Sequence, residues 1–242
     1  MARPHCGSST SALITQSSNV WNVKAIGTVI GPAMGAAITP VPIMVVVVFL
    51  LMKGGRPKAW AYGVGAIVGL SIASIAIFLG ANNATDTTSS ASTMSRVFSG
   101  VVTALFFFFA YRMFTTRPRK GEVPPEPGWM TKVGSMNVAM AFVMGAAMLT
   151  INAKNLPIMA SLGPSIAAAG GTTTEGIVAC VVFAVIASLG VLAPSIAVLF
   201  MGDHADATLA EWKTWLLFNN KLIMAILFVL LGANSLGSAL GG

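Results

Sequence analysis

One lysine of this sequence lies where a charge is hardest to accommodate. Lys154 stands between Asn152 and Asn155 within a long apolar stretch. A cation at the centre of a bilayer costs about 2.5–3.5 kcal/mol on insertion scales, so the ammonium must face a cavity, an anionic ligand or the carbonyls of unwound backbone. We expect it to meet an anionic headgroup or carboxylate, with the two asparagine amides supplying neutral hydrogen bonds. The alternative is a lysine that only snorkels along an unwound segment.

Prolines predict where the helices that carry these side chains are broken. Pro40 and Pro42 remove two backbone donors within one turn of an apolar segment, and Pro157 removes one just after Lys154. Backbone groups freed within a membrane must find partners inside the protein or in a water-filled cavity. Thr39, beside the first break, could then face Lys154 from the opposite half of the molecule.

Several kinds of chemistry lack the residues they need. No Asp, Glu or His lies deep in an apolar stretch, which argues against a divalent-metal exporter and against a carboxylate proton relay. The Asp203-His204-x-Asp206 cluster could bind a metal, although a solvated loop is the preferred interpretation. No nucleophile–base pair or Gly-rich phosphate loop occurs. We therefore predict a protein that is not an enzyme, with no cofactor and no metal site.

The composition predicts an integral membrane protein. Only 9% of the 242 residues are charged and 55% are hydrophobic, whereas about a quarter of the residues in a soluble domain are charged. Because a bilayer core needs about 20 residues of helix, the apolar blocks predict six transmembrane helices. Their predicted ranges are 26–52, 59–81, 96–114, 136–163, 174–201 and 221–240. The net charge of +7 does not indicate nucleic-acid binding, because the basic residues cluster at the ends of the spans.

The positions of the basic residues predict an orientation in the inner (plasma) membrane. With six spans, most of the basic residues share one face, and by the positive-inside rule that face is cytoplasmic, so both termini lie outside. The opposite face receives only Arg3, Lys24 and Arg96. The predicted organisation is a polar tail over 1–25, a first three-helix unit over 26–114, a Pro-rich cytoplasmic connector over 115–135 and a second three-helix unit over 136–242.

The two three-helix units resemble each other at a nearly constant offset. Ile38-Thr39-Pro40 corresponds to Ile151-Asn152-Ala153, Ile72-Ala73-Ser74 to Ile186-Ala187-Ser188, and Pro42-Ile43-Met44 to Pro157-Ile158-Met159. An odd number of spans per unit turns the two units in opposite directions. The sequence therefore predicts an all-α membrane fold with a 3+3 inverted repeat and with helices 1 and 4 broken, an architecture that places binding sites near the midplane.

Several of these segments resemble a known family. Asn152-Ala153-Lys154-Asn155 resembles the Asn-Pro-Lys-Asn signature of the GAP family, the peptidoglycolipid- or sulfolipid-addressing proteins of mycobacteria and related actinobacteria, within the LysE superfamily of exporters. The segment from Ile38 to Ile43 is similar to the family's first-span Asn-Pro-x-Pro-Ile motif, and Trp212–Met224 resembles its approach to the sixth span. Thr39 and Ala153 depart from the family, which usually has asparagine and proline there, so the second break could be weaker or could shift to Pro157.

The resemblance implies export of cell-envelope lipids, such as glycopeptidolipids or sulfolipids, together with large RND-type (MmpL-like) lipid transporters. Two alternatives stay open: a non-transporting accessory subunit of such a transporter, and a LysE-like exporter of small molecules. The sequence does not identify the cargo, the energy source or the oligomeric state, including whether the chain forms a homo-oligomer.

Overall fold

The structure is a computed structural model that describes residues 24–83, 91–118, 128–152, 154–170 and 172–241. Most of the predicted polar tail, the centre of the Pro-rich connector and Ala153 lie outside these ranges. Within them, the chain forms helices joined by turns and short extended links, with no β-strand. The prediction of an all-α fold is confirmed.

The helices follow the apolar blocks of the sequence. We number them α1 (Lys24–Ala37), α2 (Pro40–Leu51), α3 (Arg56–Asn83), α4 (Ala91–Thr115), α5 (Trp129–Gly134), α6 (Val138–Thr150), α7 (Asn155–Ala168), α8 (Thr173–Met201) and α9 (Ala205–Gly241). A 3-10 turn, Gly202–His204, joins α8 to α9. Thr172 and Glu175 cap the start of α8 reciprocally, each side chain accepting a hydrogen bond from the other's backbone N–H.

Three of the described helices, α3, α8 and α9, each contain a segment that is long and apolar enough to cross a membrane. The number rises to five if each of two bent pairs counts as one span. The apolar part of α4, Thr103–Thr115, is shorter than these. At about 1.5 Å per residue it covers only part of a bilayer core of about 30 Å. Six crossings therefore stay a prediction.

The bent pairs occur in the two segments for which the sequence predicts a break. Between α1 and α2 the axis turns by 63°, and between α6 and α7 by 66°. The 12 residues of α2, the 13 of α6 and the 14 of α7 give each helix a length of about 20 Å, which is less than the bilayer core. Pro40 and Pro42 lie in the first turn of α2, and Pro157 lies in the first turn of α7. A helix tolerates proline there because its first N–H groups have no intrahelical partner.

The core forms where α3 crosses α6 and α8. Gly65 and Gly69 of α3 lie directly against the backbone of α6, and Gly145 of α6 lies against the carbonyl of Tyr62. A Cβ at Gly65 would overlap the carbonyl oxygen of Phe142, so only glycine allows this close approach. Gly65 and Gly69 are four residues apart and so lie on the same face of α3, which is the face that contacts α6. The helix α2 is buried along most of its length and packs against α3, α8 and α9.

The helix α9 has two parts with different surroundings. Its 37 residues form one helix, in which the Trp212–Trp215 segment continues directly into the apolar part. Leu209 and Leu216 of the first part are buried in the core. The second part packs along α4, where Phe228 contacts the rings of Phe106 and Phe109. The third helix of each predicted half thus packs against the other.

Candidate functional site at two broken helices

Two prolines leave carbonyls without partners at the end of α1. In an α-helix each carbonyl accepts from the N–H four residues ahead, so Pro40 removes the donor for Ala36 and Pro42 removes the donor for Ile38. The carbonyl of Gly35 would pair with the N–H of Thr39, but that N–H bonds to Ala37 O instead, at 3.0 Å. Three carbonyl oxygens therefore lack the backbone donor that a continuous helix would give them.

The ammonium of Lys154 supplies those donors. Its Nζ lies 2.8 Å from Gly35 O, 3.1 Å from Ala36 O and 2.7 Å from Ile38 O. An ammonium has three N–H bonds, so all of its donors are used. The cation also lies at the C-terminal end of α1, where the helix dipole favours positive charge. The second break thus stabilises the first across more than a hundred residues of chain.

The surroundings of Lys154 separate it from the surface. The residue is 3% exposed, and the neighbouring Asn155 is fully buried. Of the partners that the sequence suggested for the ammonium, this conformation shows backbone carbonyls, two in the last turn of α1 and one at Ile38 just after it. No carboxylate within the described residues contacts it. An anionic ligand is the partner the sequence led us to expect, and to bind one Lys154 must release at least one carbonyl.

The two asparagines organise the second break. The side-chain oxygen of Asn152 accepts from the backbone N–H of Lys154 at 3.2 Å, which fixes the turn that projects the lysine. The side-chain nitrogen of Asn155 donates to Leu149 O in the last turn of α6, at 2.8 Å. The side-chain oxygen of Asn155 is buried and has no hydrogen-bond partner within the described residues. A buried acceptor of this kind is unusual in a native protein.

Thr39 lies at the same site without touching the lysine by a hydrogen bond. Its hydroxyl donates to Ala36 O at 2.8 Å, so it shares that acceptor with Lys154. Thr39 is extended at φ −131° and ψ 98°, which starts α2 in a new direction. The structure therefore brings together Thr39, Asn152, Lys154 and Asn155, and it places Pro40, Pro42 and Pro157 where the second helix of each pair begins.

Sequence reasoning missed the contribution of α8. Gly190 packs against the backbone carbonyl of Ala37, where α1 ends, and a Cβ there would overlap that oxygen. The sequence offered no signal for this contact beyond one small residue in an apolar helix. Gly35, Ala36 and Ile38 were missed for a different reason, because they act through backbone oxygens and not through side chains.

The polar cluster near His204 is separate from this site. His204 ends the turn between α8 and α9, Asp206 lies in the first turn of α9, and the side chain of Asp203 lies outside the described part of the structure. Among the residues that the structure describes, no group of three or more His, Cys, Asp or Glu side chains could hold a metal ion.

The comparison with protein families adds the biological context. The family model for Sap, the sulfolipid-1-addressing protein, matches residues 29–241. The chain belongs to the sulfolipid-1-addressing protein family. Searches of the curated proteins and of the solved structures found no match. The family name implies a role in sulfolipid addressing, which fits a membrane protein that handles lipids. The matched region covers the breaks of both bent pairs and therefore includes Lys154 and its three carbonyl partners.

Proposed function

We propose that this protein is a transport component that moves an anionic cell-envelope lipid, of the sulfolipid or glycopeptidolipid type, across or out of the inner membrane. The observation that carries the proposal is the hydrogen bonding of one buried amine to the open end of a broken helix in the other half of the chain. The family membership supports the lipid class. The predicted orientation, with both termini outside, belongs to the same proposal.

The proposed mechanism is an exchange of partners at Lys154. A sulfate or carboxylate oxygen forms charge-assisted hydrogen bonds that are stronger than those to neutral carbonyls. When such a headgroup reaches the ammonium, Lys154 releases one or more of its three carbonyls. A released carbonyl must be solvated, which favours a conformation in which the α1–α2 break is open to water. The ligand thereby stabilises one conformation over the other, as a conformational switch requires.

Asn155 contributes to the same exchange. Its buried side-chain oxygen accepts no hydrogen bond from the residues that the structure describes. A hydroxyl group of a glycosylated headgroup would satisfy that oxygen while the anionic group binds Lys154. A glycolipid that also carries a sulfate has both groups, which supports a lipid of that class as the cargo.

Transfer of a fluorescent sulfated glycolipid between the leaflets of reconstituted liposomes tests the proposal. We expect the wild-type chain to accelerate transfer and the Lys154→Met variant to reduce the rate at least tenfold. Since the lone substitution also removes the ammonium to which Gly35, Ala36 and Ile38 are hydrogen-bonded, a second variant combines it with Pro40→Ala and Pro42→Ala, which restore the backbone donors for Ala36 and Ile38. Lys53→Met, at an exposed lysine outside the site, is the matched control. Transfer at the wild-type rate in both Lys154 variants would remove Lys154 from the mechanism.

A second candidate is a non-transporting accessory subunit of an RND-type (MmpL-like) lipid transporter. The observation that favours it is that all three donors of Lys154 are already used, as in a purely structural contact. This candidate predicts co-purification with the larger transporter, and lipid export in cells that is insensitive to Asn155 and Lys154 substitutions that leave the chain folded. A LysE-like exporter of small cations is disfavoured, because Lys154 would repel its cargo.

A further inference from the structure

An open apolar groove runs between α4 and α9, away from the Lys154 site. Its volume is about 480 Å³, within the range of small-molecule sites. Ala110 and Ala225 are only 4% exposed and form its floor. Larger side chains form its walls on both helices: Phe107, Tyr111, Phe114, Leu222, Ile226, Val229 and Leu230. An alkyl chain lying along the two helices fits this shape.

One end of the groove opens into a polar mouth. A second cavity of about 670 Å³ shares Phe114 and Leu222 with the first, so the two adjoin. It is also lined by Thr115, Arg117 and Asn219. The guanidinium of Arg117 lies 4.2 Å from the centre of the Phe114 ring, at the junction of the two cavities. The ring thus places the cation beside the apolar groove.

Two cations lie at this mouth, and neither forms an ion pair with a carboxylate among the residues that the structure describes. Within the described part of the chain, Arg117 makes a contact with an aromatic ring and no ion pair with a carboxylate. Lys221 of α9 donates to Thr116 O at 2.6 Å, next to Arg117, which brings a second cation to the same end and leaves two of its three N–H groups for other acceptors. A guanidinium beside an ammonium attracts an anion with several oxygens.

We propose that this groove binds one acyl chain of an anionic lipid and that Arg117 and Lys221 bind its sulfate or phosphate headgroup. The groove and its mouth are continuous, apolar at one end and cationic at the other, which matches the two ends of such a lipid. A basic residue near a membrane surface contributes about 1 kcal/mol toward an anionic headgroup, or about fivefold in affinity. The site is distinct from Lys154 and does not depend on transport by this chain.

Native mass spectrometry of the purified full-length chain tests the site. The probes are sulfated galactosylceramide, the same lipid without its sulfate, and phosphatidylglycerol. We expect one sulfated lipid to bind per chain, several-fold more tightly than the uncharged lipid. Arg117→Gln should reduce this preference about fivefold without changing the affinity for the uncharged lipid. Arg112→Gln, at an exposed arginine on the same helix outside the mouth, is the matched control and should keep the preference.

A second variant tests the apolar part of the site. Val229→Trp fills the groove and should reduce binding of both galactosylceramides, whereas Val143→Trp, on the exposed face of α6, should not. The phosphatidylglycerol arm shows whether the mouth accepts phosphate as well as sulfate. Equal affinity for charged and uncharged lipid, or unchanged binding in both Arg117→Gln and Val229→Trp, would overturn the proposal. So would a change from dimer to monomer in Val229→Trp with no lipid bound to the wild type, because a second copy would then occupy the groove.

Discussion

At Lys154, two unfavourable groups stabilise each other. A buried ammonium costs about 2.5–3.5 kcal/mol in the membrane, and each buried carbonyl without a donor costs about 1–3 kcal/mol. Each of these groups alone would be unfavourable in an apolar interior. Their pairing makes the break between α1 and α2 stable in the state described, and it makes the stability of that break depend on a residue in the other half of the chain.

The hydrogen bond from Asn155 to Leu149 O allows the contribution of a single bond to the stability of the second break to be measured. Asn155→Asp keeps the shape of the side chain but replaces the nitrogen that donates to Leu149 O with an oxygen. We expect the thermal melting temperature of the purified protein to fall by about 4 °C or more, because a buried carbonyl loses its donor at a cost of about 1–3 kcal/mol.

The matched control for Asn155 is Asn219→Asp. Asn219 also donates to a backbone carbonyl, Trp215 O at 2.9 Å, but it lies at a partly exposed position where water can replace the bond. Its melting temperature should change by less than 2 °C. An equal fall in melting temperature for the two variants would show that the buried hydrogen bond of Asn155 contributes no more to stability than the exposed one of Asn219.

The sequence identified the side chains of this site better than their partners. Lys154, Asn152 and Asn155 stand out because polar groups within an apolar block need a reason. The acceptors of Lys154 are backbone oxygens, and every residue has one, so their identity depends on how α1 and α7 are placed in space. The rule linking Pro40 to Ala36 and Pro42 to Ile38 was available from the sequence, but the matching of those carbonyls with Lys154 was not.

At the level of helices, the two breaks should be coupled energetically. Lys154→Met alone should lower the melting temperature, because Gly35, Ala36 and Ile38 lose their shared donor. In a Pro40→Ala, Pro42→Ala background the helix can supply its own N–H groups, so the same substitution should cost less. A double-mutant cycle measures this coupling, with each change in melting temperature converted to a change in the free energy of unfolding. We expect the coupling free energy to exceed about 1 kcal/mol.

The cycle needs a control for general effects of the proline changes. Lys53→Met, measured in both backgrounds, should show no coupling because Lys53 is exposed in the turn after α2. Additive effects of Lys154→Met and the proline changes would mean that the carbonyls do not depend on the lysine.

The contact between α3 and α6 depends on glycine at particular positions. Gly65→Ala places a methyl group on the carbonyl oxygen of Phe142 and should destabilise the protein by about 1–3 kcal/mol, seen as a lower melting temperature. Gly80→Ala, on the same helix with nothing within 4 Å of its Cβ, should be neutral or raise the melting temperature, since alanine favours helix by up to about 1 kcal/mol. A similar fall for both variants would contradict the close packing.

Prediction from sequence was strongest for the existence of the helices. The predicted ranges 59–81 and 174–201 lie within or close to α3 and α8, because a long apolar block of helical length allows few alternatives. The breaks were predicted from proline and polar residues. The sequence did not predict that α9 continues as one helix through Trp212 and Trp215. A separate segment at the membrane surface and the first turns of a longer helix would contain the same types of residue, so the sequence could not distinguish them.

At the scale of the molecule, the helices pack in related pairs. The helix α3 packs against α6, and α8 approaches the end of α1 through Gly190, while α4 and α9 pack against each other. An inverted repeat would produce this arrangement, because each half would provide the same contact to the other. The repeat itself remains a prediction, and so does the number of crossings, which depends on whether α4 spans the bilayer.

Cysteine labelling of intact cells decides whether α4 crosses. With Cys6 and Cys180 changed to serine, we place one new cysteine at Lys53 or at Thr172 and add a membrane-impermeant maleimide. If α4 crosses and both termini lie outside, Thr172→Cys is labelled in intact cells, whereas Lys53→Cys is labelled only after the membrane is opened. If α4 does not cross, the later segments change sides, so neither position is labelled in intact cells. Thr172 lies outside if an even number of crossings precedes it and inside if that number is odd. Labelling at this one position therefore distinguishes six crossings from five.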